Sequence, residues 1–220
     1  MAIVLENYGI VYFPVPKTAC TSIKYLMYKI NNGRNFEQHI RGDNLMHIHN
    51  SAYDTPSFID VDLMPLKNMI RITVVRDPVA RMLSAYSNRV KHYGELSEKR
   101  IDLELASKLG VRPNPSPDQF FNNLGKYRIL SDSIKHHTDP IYSFLGSDLR
   151  YFHHVFRIEK ISDFVDFMKN STSQRIELER EQTGGEKISL SDLSNKARRK
   201  LTEYCYGDYA LLQGHYPTPK

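Results

Sequence analysis

The chain has 220 residues, 40% of them hydrophobic and 25% charged, with a formal net charge of +5 and a sequence pI of about 9.1. This excludes a disordered chain and suffices for one domain over 1–220 with a proper core; the modest positive excess favours an anionic partner, yet no block of like charges beyond Arg198-Arg199-Lys200 marks a nucleic-acid surface. Cys20 and Cys205 are too few for a disulfide framework, no run approaches a membrane span, and the opening MAIVLENYGIVYF lacks the basic start and long apolar stretch of a signal peptide, so a soluble, cytoplasmic protein is the expectation.

In chain order, Gly9 to Phe13 (GIVYF) reads as a buried strand, ended by Pro14 and Pro16. Ile23, Leu26, Met27 and Ile30 follow helical spacing from Thr21 to Ile30, and Asn31-Asn32-Gly33 stops that helix. Residues 34–66 are loop-rich, with a short strand expected at Leu45 to Ile48. Met69 to Val75 is a second apolar strand, and Asp77-Pro78 opens a helix that runs to about Lys91. Helices are predicted near 97–109 and 117–125, on either side of the Pro-rich stretch Arg112 to Pro117. Tyr151 to Arg157 reads as a late strand, Ile161 to Met168 as a helix, Thr183-Gly184-Gly185 as a loop, and Ser191 to Tyr206 as a capped helix leading into a Tyr-rich tail. Strand–loop–helix repeated in this way predicts an α/β fold with a central parallel sheet, whose ligands bind at the carboxyl ends of the strands.

Two loops fall at such ends. The first reads Pro14-Val15-Pro16-Lys17-Thr18-Ala19-Cys20-Thr21-Ser22. It leads a strand into a helix N-terminus, where backbone N–H groups and the helix dipole attract anions. Ala19, Cys20 and Ser22 are small enough for close approach, Thr18, Thr21 and Ser22 carry hydroxyls, and Lys17 adds a point charge. A P-loop of the form G-x-x-x-x-G-K-[ST] would show two glycines that are missing here. The second loop follows ITVV with Arg76-Asp77-Pro78-Val79-Ala80-Arg81-Met82-Leu83-Ser84-Ala85-Tyr86, so a strand again delivers a cation, with Ser84 one turn beyond Arg81. An arginine fork with a serine hydroxyl suits a phosphate monoester. Asp77 also fits a plain helix cap, and Arg81 an exposed helix position.

Taken together, PKTACTSIK and VVRDPVARMLSAY resemble the motifs of the sulfotransferases, particularly the branch that modifies carbohydrates. Pro16 to Thr21 is similar to the family's 5′-phosphosulfate loop, and Arg76 to Tyr86 to its 3′-phosphate motif. Weaker likenesses lie at His137 to Ile141, at Arg157 to Ile161 and at Tyr204 to Leu212. The resemblance implies a P-loop NTPase-like sulfotransferase fold with 3′-phosphoadenosine 5′-phosphosulfate (PAPS) as donor and no metal. By the same resemblance Lys17 stabilises the leaving phosphate, Pro16 and Thr18 to Ser22 hold the 5′-phosphate, and Arg76 and Ser84 hold the 3′-phosphate.

Transfer to a hydroxyl calls for a base, and histidine suits that role. His49 is the first candidate and His47 the second, from a His-x-His-x-Ser stretch similar to one in the uronosyl-type branch. If that stretch is a strand, both rings share one face. His137, with His136, competes from the acceptor side, where Lys24, Arg41, Arg89, Lys91 and Arg128 would line a groove for an acidic saccharide or form solvated faces. A metal at His47 and His49 lacks completing ligands. Two alternatives stay open: a P-loop nucleotide kinase, and a non-catalytic nucleotide- or glycan-binding module of the same fold.

Overall fold

A computed structural model of the chain describes residues 2–179 and 186–218. The first half comprises β1 (Ile3–Leu5), β2 (Ile10–Phe13), helix α1 (Cys20–Asn32), β3 (His39–Arg41), β4 (Asn44–Met46), the short helix α2 (Ile48–Ser51) and β5 (Ile70–Val75). Helices α3 (Pro78–Ala85), α4 (Leu103–Lys108), α5 (Pro117–Asn122), α6 (Leu124–Leu130), α7 (Asp132–Thr138) and α8 (Tyr142–Leu145) follow. Strand β6 (His154–Arg157), α9 (Ile161–Thr172) and α10 (Asn195–Leu211) complete the order. The chain groups into two compact units, one of Met1–Arg76 with Ile141–Gln182 and one of Asp77–Pro140 with Thr183–Lys220.

The first unit holds a four-stranded sheet in the order β1-β2-β5-β6. Its three inner pairings are not all alike: β2–β5 and β5–β6 are parallel, as expected, and β1 adds an antiparallel edge. The turn that folds β1 back onto β2 ends at Gly9, whose φ of 60° is one that glycine takes without steric cost. Phe13 pairs with Thr73 and Val75 with Arg157, so all three parallel strands end along one edge. Ile10, Tyr12, Ile72 and Val74 share a buried cluster with Ile23, Leu26, Met27 and Ile30 of α1 and with Phe164 and Met168 of α9. Each such aliphatic side chain contributes about 1.5–3 kcal/mol when fully buried. Phe13, one residue on, points to the other face, where its ring meets Phe58, Tyr151 and Phe152. The strand expected at Leu45 to Ile48 stops at Met46 and pairs with β3 as a hairpin; α2 begins at Ile48.

The second unit is helical. Asp77 caps α3, its Oδ1 accepting from the Ala80 N–H at 2.8 Å, and Pro78 occupies the first turn. The helix continues to His92 through a π-helical stretch over Tyr86–His92. Of the helix expected at 97–109, only Leu103–Lys108 forms, started by the Asp102 cap. The one expected at 117–125 breaks at Asn123, whose φ of −127° is not helical, so α5 and α6 are separate. Tyr86, Phe120, Phe121 and Tyr127 form the aromatic core of this unit. The helix expected to end at Tyr206 runs on to Leu211 in α10 and takes in the first part of the Tyr-rich tail. The Thr183-Gly184-Gly185 loop lies outside the described residues, and no helix among them is long and apolar enough to cross a membrane.

Helices α10 and α3 are tied by polar groups that the sequence presented as two separate motifs. Arg81 is fully buried rather than exposed; its Nη2 donates to the Asp139 carbonyl at 2.6 Å and to Asp208 Oδ2 at 3.4 Å. Tyr209 donates its hydroxyl proton to Asp77 Oδ2 at 2.8 Å. Removing one member of a buried ion pair strands the other without a counter-charge. Arg81→Met is therefore expected to lower the unfolding free energy by about 3–5 kcal/mol in a denaturant titration. A loss under about 1 kcal/mol, the level of an exposed pair, would contradict the buried tie.

Candidate functional site

The chain leaves β2 at Phe13 and enters α1 at Cys20, and the connecting loop is folded tightly without a glycine. Lys17 and Ala19 both take left-handed backbone conformations, with φ of 69° and 61°. For a residue with a Cβ this costs roughly 1–2 kcal/mol, and such strain gathers at ligand clamps. Thr18 between them is fully buried and gives its hydroxyl proton to the Val15 carbonyl at 2.9 Å. That hydroxyl braces the loop from within, whereas the sequence had offered it as an outward donor. Ala19 sits at the N-cap and brings no side-chain oxygen to the first-turn amides. Those amides and the helix dipole make this end of α1 a place where an anion is favoured.

Arg76 follows directly after β5, the strand beside β2. Its Nη1 donates to the Lys17 carbonyl at 3.3 Å, so the two predicted cation loops of this unit touch. Lys17 and Arg76 are both half-buried. Strand β6 brings a third cation to the same edge: Arg157 is opposite Val75 and lies 3.8 Å from Glu159. Arg157 was not among the sequence candidates, although its strand-end Arg-x-Glu pattern was visible.

His47 and His49 do not share a strand face. His47 is the N-cap of α2: its Nδ1 accepts from the His49 N–H at 3.2 Å, and its own N–H donates to Asn50 Oδ1 at 2.8 Å. His49 then lies in the first turn, with Nε2 2.9 Å from Thr21 Oγ1 and Nδ1 2.9 Å from Lys24 Nζ. The first-choice histidine is thus bonded to the phosphate-loop helix at both ring nitrogens. Lys24 lines no surface groove. It is fully buried, donates to Thr55 Oγ1 at 2.7 Å, and burial pushes its ammonium down to about 8 against smaller upward pulls from Cys20 and Asp54. A lysine on the inner face of a helix is not something periodicity among apolar residues reveals, and sequence reasoning missed its place in the site.

Ser84 and His137 belong to the helical unit. Ser84 is half-buried on α3. His137 occupies the last turn of α7, where its Nδ1 lies 2.8 Å from the Ser133 carbonyl; an amide oxygen accepts only, so Nδ1 carries the proton. Arg128 is held by Asp139 at 2.6 Å and by the Tyr204 hydroxyl, and Arg89 by Glu95, while Arg41 and Lys91 are exposed.

The lysine loop and Arg76 meet where β2 and β5 end, and His49 contacts the first turns of the helix that follows the loop. The sequence model of the sulfotransferase family matches residues 1–217, and the chain belongs to that family. It is accordingly a transferase that moves a sulfuryl group. No curated protein and no solved structure gives a significant match.

The left-handed turn at Ala19 has a measurable consequence. Ala19→Gly relieves the Cβ strain and is expected to raise the unfolding free energy by about 0.5–1 kcal/mol, read as a higher melting temperature. Ala19→Val should lower it. A glycine variant less stable than the parent would mean that the turn is not held in solution.

Proposed function

We propose that the chain acts as a single sulfotransferase domain that takes the sulfuryl group from PAPS and delivers it to a hydroxyl, on a carbohydrate acceptor. The observation that carries this reading is the hydrogen bond from Arg76 to the Lys17 carbonyl, which sets a strand-end arginine beside a glycine-free phosphate loop. A donor with phosphate at both ends of one adenosine needs two cationic subsites at such an edge, and an ATP-type loop would call for the glycines that are absent here.

In this reading the 5′-phosphosulfate lies over the amides from Lys17 to Ser22, with Pro16 setting the loop's entry. Lys17 neutralises charge on the phosphate oxygen as the S–O bond breaks, which is where a fixed cation lowers the barrier most. Arg76 and Ser84 hold the 3′-phosphate. Positioning and charge do the remainder, as in phosphoryl transfer, and lysine and arginine serve where other enzymes use a metal. His49 removes the acceptor's hydroxyl proton, with His47 holding the turn that presents it. His137 is assigned to acceptor binding. The carbohydrate preference rests on the likeness of the two phosphate motifs and of the segment from His137 to Ile141 to the carbohydrate branch.

Isothermal titration tests the donor. Adenosine 3′,5′-bisphosphate is expected to bind at micromolar concentration and ATP not at all; binding of ATP alone would favour a kinase. Lys17→Ala should cut kcat for sulfate transfer by about 10²–10³, the usual effect of losing one group that stabilises developing charge. His49→Ala should cut it by about 10²–10⁴. Full activity in either variant would refute that residue's role.

A further inference from the structure

His49 is gripped at both ring nitrogens, and what grips Nδ1 decides what Nε2 can do. An ammonium has only protons to offer. While Lys24 is charged, its Nζ donates across the 2.9 Å to Nδ1, so the neutral ring carries its own proton on Nε2, toward Thr21 Oγ1. In that tautomer Nε2 has no lone pair and cannot accept the proton of an incoming hydroxyl. A neutral amine differs in one respect: it has a lone pair. It can accept Nδ1–H from the ring while still donating to Thr55 Oγ1 at 2.7 Å, and Nε2, facing Thr21 Oγ1, then carries the ring's lone pair.

We propose that Lys24 is the positioning residue that sets the tautomer of His49 and receives, through Nδ1, the proton equivalent that His49 takes from the acceptor. This rests on the reading of His49 as the base. The balance is closed. The acceptor O–H proton passes to Nε2 as the new O–S bond forms and the S–O bond to the leaving phosphate breaks. The Nδ1 proton passes to the Lys24 amine, which becomes an ammonium bonded to Nδ1. Loss of one proton to solvent restores the starting pair.

The surroundings fit such a pair. Lys24 is fully buried, and burial brings its ammonium down to about 8, within reach of working pH. The groups that face it are Cys20 on its own helix and Asp54 beyond α2, both of which pull upward, together with His49 itself. The His47 ring lies 5.7 Å from that of His49, centroid to centroid. The two sites are coupled, so the transition belongs to the pair rather than to either group.

Two measurements test this. In protein labelled with ¹⁵N-histidine, the His49 nitrogen shifts should report an Nε2–H ring at pH 7 and an Nδ1–H ring above a midpoint of about 8. This needs no variant and no substrate. The pH profile of kcat/KM, measured with ³⁵S-labelled PAPS and a mixture of chemically desulfated glycosaminoglycans, should rise with the same midpoint in the parent. In Lys24→Met, of similar length and without a proton to give, that midpoint should fall by about 1.5 units, to the ordinary imidazole value near 6.5. An invariant His49 tautomer between pH 7 and 9, or a midpoint unmoved in Lys24→Met, overturns the inference. If His49→Ala still abolishes transfer in that event, the base assignment stands and only the role of Lys24 falls; full activity in His49→Ala would remove both.

Discussion

The arrangement depends on the parallel pairing of β2 with β5. Pairing Phe13 with Thr73 makes the two strands end together, so the loop after one and the arginine after the other emerge side by side. An antiparallel partner would have put them at opposite edges. From that single register follow the contact of Arg76 with the Lys17 carbonyl and the reach of β6, which delivers Arg157 to the same edge. Thr73 strengthens the register by donating its buried hydroxyl proton to the Phe13 carbonyl at 2.9 Å, at the very end of β2. Below the edge, α1 and α9 press aliphatic and aromatic side chains onto one face of the strands and hold them fixed.

The phosphate loop shows how a cradle can be built without glycine. Two left-handed residues, one of them the lysine itself, are held in place by the buried Thr18 hydroxyl and by Arg76. Helix α1 then has two duties. Its first turn presents Thr21 and its second turn Lys24 to the ring of His49. In the proposed mechanism, donor binding and proton transfer would share one rigid element, an arrangement more precise than two independent loops.

Much of this was legible in the sequence, for physical reasons. GIVYF and MIRITVV are strands of β-branched and aromatic residues too short for helices, and the proline-bounded lysine loop and the Arg-Asp-Pro start of α3 punctuate them. What stayed hidden were charged groups on inner faces. Arg81 and Lys24 sit at helix positions that sequence alone reads as solvated, and only tertiary partners, Asp208 for one and His49 for the other, explain their burial. Helix α2 was misread because β4 is three residues long and the cap that starts the helix is an imidazole, not a serine or aspartate. Strand β1 escaped because an apolar opening segment carries no alternation to distinguish an edge strand. The stretch Tyr204 to Leu212 was read as a weak family likeness, yet its work, anchoring α10 through Asp208 and Tyr209, is visible only in three dimensions.

In the proposed mechanism, the loop from Lys17 to Ser22 receives the 5′ end of a nucleotide phosphorylated at both ends. A crystal structure with adenosine 3′,5′-bisphosphate tests it most directly. The 5′-phosphate oxygens should lie within hydrogen-bond distance of the amides of residues 17–22, and the 3′-phosphate against Arg76. A nucleotide bound in the reverse sense, or with no phosphate in that loop, would contradict it.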